Sequence, residues 1–149
     1  MNRIGMTLLA LALLLTAGPA FSAPAPAGFD AVLGHYETIR KALINDAMAG
    51  IPGHAAEIAK LAKGAPADLA PQIAGAAKKL TAAKDLKTAR DAFYELSKPM
   101  VRWREAADSK EHVMAYCSMS KRLWIQPKGE IGNPYYGKSM ATCGEVVSK

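Results

Sequence analysis

Residues 85–101 read DLKTARDAFYELSKPMV, and this stretch decides the fold class. Leu86, Ala89, Phe93, Leu96, Met100 and Val101 recur at spacings of three and four, the period of one face of an α-helix. Asp85 stands where an N-cap belongs, able to accept from the free N–H groups of the first turn. Glu95, Ser97 and Lys98 fall away from the centre of the apolar stripe. Pro99 predicts a kink or break near Glu95, because the Glu95 carbonyl loses its donor. Met100 fits the stripe as a gap-filling core residue.

The same period extends toward the N-terminus. Phe29, Val32, Leu33, Tyr36, Leu43 and Ile44 form one stripe, with Ile39 near its edge and Glu37, Arg40, Lys41 and Asn45 on the opposite face. This predicts a helix to about Met48, stopped by Gly50 and Pro52. His35, beside Tyr36 at the stripe's edge, reads as a partly exposed helix residue before it reads as a ligand. A short helix is predicted over 54–63 on Ala55, Ile58, Ala59 and Ala62, with His54 in its first turn and Gly64 and Pro66 closing it. A third runs from Pro66 or Ala67 to Ala82 on Leu69, Ile73, Ala76, Ala77 and Leu80, with Pro71 tolerated near its start. The fold class that follows is mainly α, an up-and-down bundle of about four helices.

Beyond Lys110 the period changes. His112 to Met114 with Tyr116, and Leu123 to Gln126, read as two short strands of a β-hairpin, with a turn over 118–122. Pro127-Lys128-Gly129, Asn133-Pro134 and Gly137 are turn signals. Residues 110–149 therefore form a small loop-rich lobe, too small for a core of its own and expected to pack on the bundle.

The N-terminus is a different kind of sequence. Arg3 precedes a nearly unbroken Leu, Ala and Met run, Gly18-Pro19 breaks it, and Ala20-Phe21-Ser22-Ala23 offers a cleavage site. Residues 1–22 read as a secretory signal peptide, 23–28 as a Pro/Ala linker and 29–149 as one domain, periplasmic or secreted. Loss of residues 1–22 removes the one charge of Arg3, so the net charge of +6 becomes +5. Lysines are spread over every helix rather than clustered, which argues against nucleic acid as a partner, and no stable membrane insertion is expected once the signal is cleaved.

The chemistry lies in the lobe. Both cysteines of the chain are there, each near a methionine: Cys117-Ser118-Met119 and Met140-Ala141-Thr142-Cys143. Thiolate and thioether are soft donors that favour ions such as Cu(I) over Mg or Ca. Two such pairs facing each other would make a sulfur-rich site of two to four ligands, with His112 and Met114 as additional candidates. Trp124, Tyr135 and Tyr136 read first as apolar filling for a small lobe and second as shielding around a metal. Two cysteines in an exported chain equally suit one disulfide, Cys117–Cys143, in a structural or protein-interaction module that binds no metal. Zinc-ribbon, haem-attachment, metalloprotease, P-loop and dinucleotide motifs are missing, and an enzyme is not expected.

The pattern Tyr116-Cys117-x-Met119, then Trp124-x-Gln126, then Ile131-x-Asn133-Pro134-Tyr135-Tyr136-Gly137-Lys138-x-Met140, then Cys143-Gly144-Glu145-Val146 resembles a bacterial periplasmic domain family of unknown function. That family occurs as stand-alone exported proteins and at the C-terminus of adaptor (membrane-fusion) subunits of CusB-type copper/silver efflux pumps. The resemblance extends to Tyr36, Ala42-Leu43 and the segment from Ala89 to Ser97, so it covers most of the chain after the signal. It implies a helical periplasmic domain handling copper or a related soft metal, with Cys117, Met119, Met140 and Cys143 as ligands and efflux-pump or metallochaperone proteins as partners. The family usually has proline between the first Cys and Met, where this chain has Ser118, so the loop is less rigid here.

Overall fold

The structure is a computed structural model and describes residues 28–148. The stretch 1–22, read as a signal peptide, and nearly all of 23–28, read as a linker, lie outside the described residues. Four α-helices come first: α1 (Gly28–Ile44), α2 (Ile51–Leu61), α3 (Ala70–Thr81) and α4 (Leu86–Ala106). Single 3-10 turns follow α2 at Ala62–Gly64 and precede the last strand at Gly137–Met140. Each helix packs against the next in sequence. The predicted stripes are the buried faces: Phe29, Val32, Leu33, Tyr36 and Leu43 on α1, Ile73, Ala76, Ala77 and Leu80 on α3, and Leu86's successors Ala89, Phe93, Leu96 and Met100 on α4. Among the described residues no helix is long and apolar enough to cross a membrane.

The helix ends show which local signals prevailed. Asp85 caps α4 as expected, accepting from Thr88 N–H at 2.8 Å, while Thr88 Oγ1 accepts from the Asp85 N–H at 3.4 Å. Pro52 does not stop a helix; it sits in the first turn of α2, where its missing N–H goes unnoticed. Helix α1 ends at Ile44 rather than Met48, because the chain turns through Asp46 at φ 56°. Helix α4 does not break at Pro99 but continues to Ala106. Met100, Val101, Trp103 and Arg104, all buried, outweigh the one lost hydrogen bond.

The lobe is a three-stranded antiparallel sheet, not the expected hairpin. Strands β1 (His112–Cys117) and β2 (Arg122–Pro127) pair as predicted, and β3 (Glu145–Ser148) adds itself to the other edge of β1, giving the order β2-β1-β3. The sheet lies on α4 through β2. It has no separate core: Ala115, Cys117, Trp124, Ile125 and Tyr135 belong to the same buried cluster as the helix stripes.

Three arginines fasten the lobe to the helices. Buried Arg40 of α1 donates to the Gly132 carbonyl and pairs with Glu37 at 2.7 Å, which corrects its expected place on the solvent face. Arg90 of α4 donates to the Pro134 carbonyl at 3.0 Å and to the Asp46 carboxylate at 2.6 Å. Arg104 donates twice to the His112 carbonyl, at 3.1 and 2.8 Å. Ser97, expected off the core stripe, is fully buried and bonds the Tyr36 hydroxyl at 2.6 Å.

Candidate functional site

Strand alternation sorts the lobe's side chains. On β1 the odd positions Val113, Ala115 and Cys117 face the core, and His112, Met114 and Tyr116 lie half-buried on the opposite face. Cys117 is the last residue of β1 and has no exposed surface. The chain then turns through 118–121, with Lys121 at φ 55°, and carries Met119 out to 60% exposure.

Cys143 arrives from the other side, just past the 3-10 turn that ends at Met140. Its N–H donates to the Met140 carbonyl at 3.1 Å, and its carbonyl accepts from the Asn133 side-chain amide at 2.7 Å. The two Sγ atoms lie 3.1 Å apart and both thiols are free. Met119 Sδ stands 3.9 Å from Cys143 Sγ. Three of the four predicted sulfur atoms therefore converge. Met140 contributes its backbone carbonyl to the Cys143 turn.

The pair is electrostatically unequal. Burial opposes ionisation of Cys117. Donors outweigh it: the Ser120 N–H, the Cys143 thiol, the Ser120 hydroxyl and the Met119 N–H together bring the Cys117 pKa down to about 7. Cys143 moves the other way, raised by the hydrogen bond it gives Cys117, then by burial and by the charge beside it. The two sulfurs thus share one proton, with the thiolate on Cys117 and the thiol donating from Cys143. A thiolate of this kind is the form that binds soft metals or attacks a disulfide.

Two of the three aromatics pack together beside the Cys143 turn. Trp124, fully buried, donates its ring N–H to Gln126 at 2.9 Å and meets Tyr135 edge-to-face at 5.9 Å. Its ring lies against Gly144, the residue after Cys143: a Cβ there would stand 2.8 Å from the Trp124 ring, and the Gly144 φ is 146°. Tyr135 buries its hydroxyl, donating to the Leu123 carbonyl at 2.6 Å, while Tyr136 remains half-exposed. Trp124 therefore packs against the residue that follows Cys143, and Tyr135 braces its ring.

His112 and Met114 are not brought to the thiols. They lie on the other face of β1, and the His112 imidazole bonds the Ser109 hydroxyl at 3.1 Å. Among the described residues no group of three or more His, Cys, Asp and Glu gathers in a way that could hold a metal ion, so a site here rests on two thiols and a thioether.

Asn133 is the residue whose role the sequence concealed. It is fully buried, its Oδ1 accepts from the Tyr135 N–H at 2.7 Å, and its Nδ2 reaches the Cys143 carbonyl. The Asn-Pro pair signalled a turn, and an Asn that caps its own turn with Oδ1 has Nδ2 left to donate elsewhere. Ser120, three residues past Cys117 in the turn, is the other concealed contributor. No protein-family model, curated protein or solved structure matches the chain.

Proposed function

We propose that this is an exported soft-metal-binding protein that holds Cu(I) between Cys117, Cys143 and Met119 and serves copper or heavy-metal handling. The observation that carries the reading is the convergence of three sulfurs, with the thiols 3.1 Å apart and Met119 Sδ 3.9 Å from Cys143. Metal–thiolate bonds of about 2.3 Å place neighbouring sulfurs about 4 Å apart around a three-coordinate ion. The thiol pair would have to open by roughly 0.9 Å, and Met119 is nearly at that distance from Cys143 already. Cys143 and Met119 both sit in loops, where such a movement is cheap. The exposed thioether gives the ion a way in and out, and the buried thiolate gives affinity. The signal-like N-terminus and the resemblance to the efflux-associated periplasmic family support export, and efflux or metallochaperone proteins as partners. Cu(I) titration against a competing chelator tests this. One equivalent should bind tightly with thiolate charge-transfer absorbance, Cys117→Ser should abolish it, and an unchanged stoichiometry in the Cys117→Ser, Cys143→Ser double variant would sink the proposal.

The same contact favours a second reading, a disulfide. Closing 3.1 Å to a bond of about 2.05 Å takes roughly 1 Å of movement. Linking residues 26 apart would stabilise the fold by about 3 kcal/mol. Thiol titration of protein taken directly from the periplasm separates the two: no free thiol before reduction favours the structural module.

A further inference from the structure

The register of the lobe sets an arginine beside the thiols. Arg122 opens β2 directly opposite Cys117, the last residue of β1. Side chains opposite each other in a ladder share one face of the sheet, with Cβ atoms about 5 Å apart. The Arg122 guanidinium lies 5.3 Å from the centres of both the Tyr94 and the Tyr135 rings, and its Nη2 bonds Asp91 at 2.6 Å. Among the described residues, Nη2 is the one nitrogen of this guanidinium that makes a hydrogen bond. Two rings and a carboxylate therefore fix the group, and its remaining N–H donors are free to bind.

A cavity of about 360 Å³ opens at this point, at the lower end of the range for small-molecule sites. Its lining includes Lys87, Arg90, Asp91, Ser120, Arg122 and Tyr136. Arg90 is matched by Asp46 at 2.6 Å, whereas Lys87 and Arg122 share the single charge of Asp91, so one positive charge is left over. The Arg122 hydrogen bond holds the Asp91 carboxyl below its ordinary pKa, which keeps that balance at neutral pH. Ser120 joins the cavity to the sulfurs: it lines the wall, it donates to Cys117, and it follows the exposed Met119.

A fixed guanidinium fork with a mobile ammonium beside it is a receiver for a carboxylate. Placed one residue from a soft-donor centre, it suits a ligand that carries both a carboxylate and a soft sulfur.

We propose that this cavity is the carboxylate-binding subsite for a small acidic thiol that carries Cu(I) to the sulfur site. The proposal rests on the copper reading above. The carrier's carboxylate lies on Arg122 and Lys87, and its sulfur-bound ion reaches Met119 and Cys143. One carrier sulfur–copper bond breaks as a Cys143 Sγ–copper bond forms. The Cys143 proton passes to the departing carrier thiolate, and copper stays Cu(I) throughout.

The test compares two carriers on the reduced chain: Cu(I) bound to glutathione, which has two carboxylates, and Cu(I) bound to 2-mercaptoethanol, which has none. Transfer is followed by stopped-flow as the change in thiolate–Cu(I) absorbance. Arg122→Met and Lys87→Gln should each slow transfer from glutathione by roughly threefold to tenfold and leave transfer from 2-mercaptoethanol unchanged. Lys87 is exposed, so its variant keeps the fold even if loss of Arg122 does not. Equal slowing with both carriers, or no slowing with glutathione, overturns the proposal. A metal-free arm separates it from the copper reading. S-methylglutathione keeps the carboxylates and has no free thiol, and it should shift the amide NMR resonances of Lys87, Ser120 and Arg122 saturably in the unmodified chain. Unmoved resonances overturn the subsite whether or not copper binds. Shifted resonances without copper uptake from either carrier keep the carboxylate subsite and overturn the copper reading, and with it the carrier role.

Discussion

Replacing Asn133 by alanine tests whether one buried amide holds Cys143 in place. The side chain makes two bonds of 2.7 Å, donating to the Cys143 carbonyl and accepting from the Tyr135 N–H. The Asn133 N–H also donates to the Ala141 carbonyl at 2.6 Å, and alanine keeps that bond. The variant therefore removes only the side-chain pair. The Tyr135 N–H is buried, so leaving it without a partner costs about 1–3 kcal/mol; the Cys143 carbonyl is nearer solvent and costs about 1 kcal/mol. Together these predict a loss of about 2–4 kcal/mol, a large part of a domain stability of roughly 5–15 kcal/mol. Urea denaturation of the reduced protein, followed by circular dichroism, measures it. If Cys143 is a ligand, Cu(I) affinity should fall as well, because the thiol no longer meets Cys117 at a fixed distance. A destabilisation below about 1 kcal/mol would show that β3 and Tyr135 hold the loop without the amide, and the positioning argument would fail.

Thiolate absorbance on titrating the reduced protein should show one thiol ionising near pH 7, Cys117, and Cys143 only above the ordinary thiol range. Because the folded Cys117 value lies below the unfolded one, its ionisation adds stability as pH rises from about 7 and loses it as pH falls through that value; two thiols titrating together near 9 would refute the pairing. Gly144→Ala should cost about 2 kcal/mol or more, since the new Cβ would meet the Trp124 ring at 2.8 Å on a backbone at φ 146°, and Trp fluorescence should shift to the red. Arg104→Met should cost about 2–3 kcal/mol by leaving the His112 carbonyl without its two donors, and amide exchange should rise in β1 and β2 before it rises in α1. Burial holds His112 below its ordinary value, so the unfolded chain takes up that proton first; stability should be lost as pH falls below about 6.5, and His112→Gln should flatten this acid loss.

The helices were legible because a stripe at period 3.6 can be read from neighbours alone, and the Asp85 cap because its partner Thr88 is three residues away. Local rules failed where burial opposed them. Pro99 announces a break, yet the four buried residues over 100–104 carry α4 onward. Strand β3 was hidden for the reverse reason. Val146 and Val147 are 43% and 46% exposed, so Glu145–Ser148 shows no alternation, and only its β-branched pair hinted at a strand.

The site divides in the same way. Its reactive atoms were visible, because cysteine and methionine are rare and their chemistry is their own. The groups that bring those atoms together were not. Arg40, Arg90, Arg104 and Asn133 each bind a backbone carbonyl, at Gly132, Pro134, His112 and Cys143. For Arg40 the acceptor is 92 residues away. Every residue has a carbonyl, so an acceptor of this kind leaves no mark at its own position. The donor is equally silent, since an arginine at that place in the helix pattern reads as solvated surface. This predicts where the sequence reading should be least sensitive and the fold most so: at donors that serve the main chain, whose loss displaces Cys143 or β1 without touching a sulfur atom.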